Sequence, residues 1–232
     1  KVGDKAGMGC IVDSCMHCDS CKNSEKHHCE TPGGRVLTYG APDKTSPTGI
    51  TQGGYSNNLV VTEHFAIKIP ENIDLKYAAP LLCAGITTYS PLMKANLKRG
   101  YKVGVAVIGG LRHISIKLAI AKGAEVYAFT TSPSKVNDIK AFGAKEVIVV
   151  NKTEDLQPWY GKLDYMISTI PYAYDLANYI SCVRPYGYFT QVGQPINGAL
   201  ELNNSLMMNN RVNFNSSTIG GIPETQEVMD YC

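Results

Sequence analysis

The chain has 232 residues, of which 44% are hydrophobic and 18% are charged, and its formal net charge at pH 7 is +2. This composition is typical of a soluble globular protein with one large or two smaller domains. The 22 basic and 20 acidic residues are interspersed, so the charge pattern does not indicate binding to nucleic acid or to an anionic membrane.

The first residues, KVGDKAGMGC, have neither the apolar core nor the cleavage site of a secretory signal. No apolar run reaches the ~18 residues that suggest a membrane span. We therefore expect a reducing cytoplasm, which argues against stable disulfides. Because these residues read as a strand and turn already under way, without an initiator Met, we also expect the chain to be a piece of a longer protein.

Four of the eight cysteines lie in residues 13–30, DSCMHCDSCKNSEKHHCE. Cys15, Cys18, Cys21 and Cys29 follow the spacing C-x2-C-x2-C-x7-C. The two-residue gaps let the first three thiolates turn toward one centre. The longer seven-residue segment lets the chain return and bring the fourth thiolate to the same centre. The spacing predicts a closed tetrahedral zinc site of the structural kind.

Other uses of these thiols stay open. One is a redox Cys-x-x-Cys pair or a set of inert thiols. Another is an iron–sulfur cluster, although its bacterial motif closes with three residues and a proline, whereas Glu30 follows Cys29 here. Because four thiolates complete a tetrahedral site, we predict that His17, His27 and His28 are solvated loop residues.

Cys10 stands in the apolar, strand-like stretch MGCIV, which predicts a buried thiol.

From about residue 100 the sequence alternates apolar strands with amphipathic helices. The segments are YKVGVAVIGG, LRHISIKLAIAKG, AEVYAF, SKVNDIKAFG, KEVIVV, LDYMISTI, AYDLANYISCV and GYFTQVG. Strands this uniformly apolar are buried on both faces. The pattern predicts a doubly wound α/β domain with a parallel sheet of at least five strands and helices on each side.

The first loop after a strand is where a dinucleotide-binding domain carries Gly-x-Gly-x-x-Gly. Here it reads Val107-Ile108-Gly109-Gly110-Leu111-Arg112, so only the middle glycine is retained. A turn without nucleotide is therefore an alternative. Arg112 replaces the small residue that close helix packing favours, although arginine is also suited to contacting a phosphate.

The end of the second strand gives a clearer indication. Enzymes that bind NAD usually place Asp or Glu there, whereas FTTSPSK offers Thr130, Thr131, Ser132 and Lys135 without a carboxylate. Three hydroxyls and a cation predict a site for the 2′-phosphate of NADP. The alternative is a polar loop that caps the next helix, with Ser132 or Ser134 as N-cap and Pro133 in the first turn.

Four segments in this order carry a specific resemblance: GCIVDSC, GGYSNNLVV, PLLCAGITTYSPL and IGGIPETQE. Together they resemble the zinc-dependent medium-chain alcohol dehydrogenases of the cinnamyl alcohol dehydrogenase branch, and the chain is similar to the bacterial NADPH-dependent aldehyde reductases of that branch. The resemblance implies part of a β-rich GroES-like catalytic domain over residues 1–90 and a Rossmann-type NADP-binding domain over 91–232. It also implies that roughly ninety initial residues and a closing segment are absent.

The resemblance implies roles for particular residues. Cys15, Cys18, Cys21 and Cys29 match the structural zinc ligands, and Cys83 matches the last protein ligand of the catalytic zinc. Thr87 matches a contact on the nicotinamide side, and Gly109, Gly110 and Leu111 match the pyrophosphate turn. Thr130, Thr131, Ser132 and Lys135 match the phosphate-selecting stretch, and the later cofactor contacts are matched by Thr169, Gly193, Ser217, Thr218 and Ile219.

The implied activity of the intact protein is the zinc-assisted, NADPH-dependent reduction of aldehydes to primary alcohols, in a cytoplasmic homodimer. Thr218, small and polar, favours a roomy pocket with broad aldehyde tolerance. The alternative is a degenerate paralogue that acts as a zinc-stabilised binding or scaffold protein without turnover, suggested by Val107 and Arg112.

Overall fold

The computed structural model describes residues 1–55, 57–107, 109–196 and 198–232, and the side chains of Val107 and Arg112 lie outside this description. The strands are β1 (Ala6–Met8), β2 (Ile11–Asp13), β3 (Val36–Leu37), β4 (Tyr39–Pro42), β5 (Ile50–Gln52), β6 (Ala66–Lys68), β7 (Lys102–Val107), β8 (Glu125–Thr130), β9 (Glu146–Val149), β10 (Leu163–Ser168), β11 (Val183–Gln191) and β12 (Asn213–Ser216). The α-helices are α1 (Asp19–Lys22), α2 (Leu75–Pro80), α3 (Ile86–Lys94), α4 (Leu111–Ala121), α5 (Val136–Ala141), α6 (Leu176–Ser181), α7 (Asn204–Asn210) and α8 (Ile222–Tyr231). Short 3-10 turns cover Lys26–His28, Glu63–Phe65, Pro133–Lys135 and Thr153–Trp159, and a π-helical turn covers Leu81–Gly85.

The chain divides into two compact units, one formed by Lys1–Thr87 with Ile219–Cys232 and the other by Thr88–Thr218. The sequence placed the whole of residues 91–232 in one domain, whereas the structure groups α8 with the first unit. The reason is packing, because α8 buries Val228 and Met229, and Met229 belongs to the same apolar cluster as Ile67 and Leu82. Burial of such side chains is the main source of stability for a helix of this length.

The first unit is built from short antiparallel strand pairs, as the resemblance to a β-rich GroES-like domain implies. β1 pairs with β6, β2 with β3 and β4 with β5. The loop that carries the four clustered cysteines lies between β2 and β3 and contains α1.

The second unit contains a six-stranded parallel sheet in the order β12-β11-β10-β7-β8-β9. This is the order of a dinucleotide-binding fold, with its two halves meeting between β10 and β7. The predicted doubly wound α/β fold is confirmed, and the sheet has one strand more than the five required by the sequence. Loops at the carboxyl ends of such strands form the ligand site.

The core of the second unit explains why its strands are apolar on both faces. Phe129, Met166 and Phe189 are at most 1% exposed and belong to one buried cluster. Trp159 packs against this cluster, with its ring centroid 4.7 Å from that of Tyr127 and 5.7 Å from that of Phe129. The rigid sheet holds the ends of its strands in fixed register.

Within the described residues, none of the helices combines the length and the apolar character that crossing a bilayer would require.

Candidate functional site

The thiols of Cys15, Cys18, Cys21 and Cys29 converge, with all four sulfur atoms within 4.8 Å of one another. Cys18 caps α1 and Cys21 lies inside it, so one turn of helix brings these two together. Cys29 follows the 3-10 turn that returns the chain. The Sγ atoms of Cys15 and Cys21 are 3.8 Å apart, which is about the separation that zinc–sulfur bonds of about 2.3 Å give in a tetrahedron.

Backbone amides point at these sulfurs, as they do where a thiolate is held. The N–H of Cys18 donates to Cys15 Sγ at 3.3 Å, and the N–H of Glu30 donates to Cys18 Sγ at 3.5 Å. The Thr31 hydroxyl, with a smaller contribution from the Cys18 N–H, lowers the pKa of Cys15 to about 5. Burial raises the pKa of Cys21 to about 11. The four donors and their partners fit a closed metal site.

The histidines beside this cluster are not all solvated, so the sequence prediction was wrong for His27. His17 and His28 are exposed, but His27 is only 3% exposed. Its Nε2 lies 3.2 Å from Glu25 Oε2, and its carbonyl accepts a hydrogen bond of 2.9 Å from Arg35. The surrounding stretch KNSEKHHCE is polar almost throughout, so the sequence gives no sign that this histidine is buried.

Cys83 lies on the π-helical turn between α2 and α3, and its side chain is exposed. Such turns are frequent at functional sites. The sequence predicted a buried thiol at Cys10, but this residue is half-buried, and its Sγ lies 3.8 Å from the carbonyl oxygen of Leu82. A hydrogen bond with Cys10 lowers the pKa of Cys83 to about 6, which favours the thiolate that metal binding requires.

The glycine turn after β7 is open to a ligand. Gly109 has φ +107°, in the left-handed region that favours glycine, and Gly110 caps α4, which begins at Leu111. A Cβ atom built on either glycine meets no other heavy atom within 4 Å. The N-terminus of this eleven-residue helix therefore faces space that suits a phosphate. The sequence suggested a degenerate turn from Val107 and Arg112, but the side chains of these two residues lie outside the part of the chain that the structure describes.

The loop after β8 divides its four predicted residues into two groups. Thr130 is 4% exposed, and its hydroxyl accepts a hydrogen bond of 3.2 Å from the N–H of Ser132. Thr131 is exposed, and Ser132 and Lys135 are half-exposed. Ser132 stands at the N-cap of the following turn, but its side chain makes no capping hydrogen bond. Thr130 therefore shapes the loop, and the other three side chains present two hydroxyls and a cation to solvent.

The sheet register aligns the remaining predicted contacts of the second unit. Ala106, Ser168, Gln191 and Ser216 are successive partners across neighbouring strands. Thr169, Gly193 and Ser217 follow within two residues of this row, so they leave the sheet at one edge. Gly193, Ser217 and Thr218 line one cavity of about 350 Å³.

Two predicted residues, Thr87 and Ile219, belong to the first unit. Thr87 is half-buried in α3. Ile219 has φ +44°, which is rare for a β-branched residue.

The structure also reveals Tyr174 and Gln191, which sequence reasoning did not select. The Tyr174 hydroxyl lies 2.8 Å from Ser168 Oγ and 2.7 Å from Gln191 Oε1. Only the strand register brings these three side chains together, so no local spacing marks them.

Comparisons with known proteins identify the family of the chain. The family model described as zinc-binding dehydrogenase matches residues 110–232, and the model described as alcohol dehydrogenase GroES-like domain matches residues 1–71. The chain is 41% identical over 232 residues to NADP-dependent alcohol dehydrogenase C 1 of Mycolicibacterium smegmatis, covering 100% of this chain and 65% of that protein. It is 42% identical over 234 residues to aldehyde reductase YahK of Escherichia coli, covering 99% and 65%.

Solved structures give the same assignment. A cinnamyl alcohol dehydrogenase of Sorghum bicolor superposes with a TM-score of 0.93 at 32% identity, and one of Helicobacter pylori, complexed with NADP(H), superposes with a TM-score of 0.90 at 40% identity. Each match covers 100% of this chain and 65% of the other, so the chain spans just under two thirds of the length of these relatives. The chain belongs to the zinc-dependent medium-chain alcohol dehydrogenases, in their cinnamyl alcohol dehydrogenase branch.

Proposed function

We propose that the whole protein reduces small aldehydes to primary alcohols with NADPH and zinc. The observation that carries this proposal is the loop after β8, where Thr131, Ser132 and Lys135 present two hydroxyls and a cation to solvent and the stretch FTTSPSK contains no carboxylate. An acidic residue there would hold the ribose of NAD, whereas hydroxyls and a lysine favour a 2′-phosphate. The relative named NADP-dependent alcohol dehydrogenase C 1 supports the same coenzyme, and the relative named aldehyde reductase supports the reaction.

The residues of the second unit would bind and orient the cofactor. The N–H groups at the start of α4, next to Gly109 and Gly110, would bind the pyrophosphate. Thr169, Gly193, Ser217 and Thr218 leave one edge of the sheet and would hold the other half of the dinucleotide. In this arrangement the protein orients the cofactor and excludes water.

Zinc would be held in two places. Cys15, Cys18, Cys21 and Cys29 complete a structural site without help from other residues. A catalytic zinc takes about three protein ligands, and Cys83 would be one of them. When bound, NADPH supplies the hydride and the catalytic zinc polarises the carbonyl oxygen of the aldehyde.

The same proposal includes a homodimer in the cytoplasm. None of the eight cysteines forms a disulfide, which suits a reducing compartment. The resemblance to the family supports the dimer.

The experiment is to follow the oxidation of NADPH by the whole, zinc-loaded protein with a panel of aliphatic and aromatic aldehydes. We expect the alcohol as product, and broad tolerance across the panel if the small Thr218 leaves a roomy pocket. Cys83→Ser should abolish reduction while zinc at the four-cysteine site is retained. Turnover by Cys83→Ser equal to that of the wild type would contradict the role of Cys83, and no turnover by the wild type would favour a binding protein.

A further inference from the structure

The loops after β10 and β11 cross in direct backbone contact. A Cβ atom on Gly193 would lie 2.6 Å from the carbonyl carbons of Thr169 and Ile170, so glycine is required at this crossing. The N–H groups of Val192 and Gly193 both donate to the carbonyl of Ser168, at 2.8 and 3.1 Å. Any shift of one loop therefore changes the position of the other.

Three side chains close a hydrogen-bond network over this crossing. Gln191 is 5% exposed, and its Nε2 donates to the carbonyls of Ile170 at 3.1 Å and Gly193 at 2.6 Å. These two bonds use both amide hydrogens and leave Oε1 as an acceptor. The Tyr174 hydroxyl must then donate to Gln191 Oε1 and accept from the hydroxyl of Ser168, which is fully buried.

Each hydrogen bond of the network has only one possible donor, so the direction of every bond is fixed. Gln191 bonds to one loop through Ile170 and to the other through Gly193. Tyr174 holds the amide in this orientation, and its ring is fixed edge-on against Tyr179, with centroids 5.2 Å apart. A buried amide whose donors and acceptor are all used makes a rigid connection.

We infer that Tyr174 and Gln191 are positioning residues that fix Thr169 and Gly193 for the nicotinamide half of the cofactor. The inference rests on the proposed function. β10, β11 and β12 form the half of the sheet opposite to the loop that would bind the 2′-phosphate. The network should therefore affect binding of the nicotinamide half and leave binding of the adenosine half unchanged.

The test compares two Tyr→Phe variants with two probes. Tyr174→Phe removes the hydroxyl that holds Gln191. Tyr165→Phe is the matched control, because Tyr165 lies on β10, is 1% exposed, and its hydroxyl has no hydrogen-bond partner of normal geometry within the described residues. The dissociation constants of NADPH and of adenosine 2′,5′-bisphosphate, which lacks the nicotinamide half, are measured for each variant of the full chain.

We expect Tyr174→Phe to weaken the binding of NADPH about three- to tenfold, which is the contribution of one hydrogen bond. Adenosine 2′,5′-bisphosphate should bind to this variant as tightly as to the wild type. Gln191→Met should do the same, and Tyr165→Phe should change neither constant. Equal NADPH affinity for Tyr174→Phe and Tyr165→Phe would overturn the inference, as would an equal loss for both probes, which indicates general destabilisation. A wild type that binds neither probe would overturn the proposed cofactor itself, and with it this inference.

Discussion

Lys135 follows Pro133 and Ser134 in the turn after β8 and is the one cation in the stretch FTTSPSK. Its side chain is half-exposed, and Thr131 in the same loop is exposed. The loop places this charge where a dinucleotide-binding sheet carries the ribose of its cofactor. Under the proposed function, a few residues on this loop would set the choice of coenzyme, and the buried Thr130 would support them.

Lys135→Ala should weaken the binding of NADPH about tenfold or more, because a hydrogen bond to a charged group contributes about 1.5–3 kcal/mol. NADH, which lacks the 2′-phosphate, should bind with unchanged affinity. Fluorescence titration of both coenzymes measures the difference. Lys140→Ala is the matched control, since Lys140 is an exposed lysine on α5 outside the loop. Equal losses for NADPH and NADH would show that Lys135 does not contact the 2′-phosphate.

At the scale of an element, we expect the cysteine loop to depend on a bound metal more than on its secondary structure. It contains the four-residue helix α1 and a three-residue turn, both too short to be stable alone. A bound metal contributes directly to the folding energy of such a loop.

Cys21→Ser should remove about one zinc per chain and cost more than about 4 kcal/mol of the free energy of unfolding, as the loss of a structural metal does. Elemental analysis and thermal melting check the two effects. Cys232→Ser removes an exposed thiol outside the cluster and should change neither. A coloured wild-type protein that carries iron instead of zinc would contradict the assignment and indicate an iron–sulfur cluster.

Elements whose signal is local were predictable from the sequence. Cys15, Cys18, Cys21 and Cys29 are fixed by spacing, and the strands of the parallel sheet by continuous apolar runs. The burial of His27 was not predictable, because Glu25 and Arg35 contact this residue only in the folded loop. The Tyr174 and Gln191 network was not predictable either, since it requires the register of β10 against β11.

At the scale of the whole molecule, the two units draw on distant parts of the chain. Helix α8 belongs to the first unit although 131 residues of the second unit, Thr88–Thr218, precede it. Its amphipathic sequence does not say which unit covers the apolar face. The polar Gln226 contributes to the choice, because its side chain pairs with the backbone of Lys68 on β6, donating and accepting at 2.9 Å each.

Met229→Ala should destabilise the first unit by about 2–5 kcal/mol, the cost of truncating a buried Met. Trp159, the single tryptophan, lies in the second unit, so its fluorescence and the far-UV circular dichroism report on different parts of the chain. In urea, the dichroism transition should move to lower concentration by more than the fluorescence transition. Met208→Ala, an exposed position on α7, should move neither. A change confined to fluorescence would place α8 with the second unit.

The most direct test of the proposed NADP site is the ratio of the dissociation constants of NADH and NADPH for the wild-type chain. The hydroxyls and lysine after β8, the open glycine turn before α4, and the shared sheet edge together predict an NADP site. We expect NADPH to bind at least about tenfold more tightly than NADH, the value of one charged hydrogen bond. Equal binding of the two coenzymes, or tighter binding of NADH, would contradict the account.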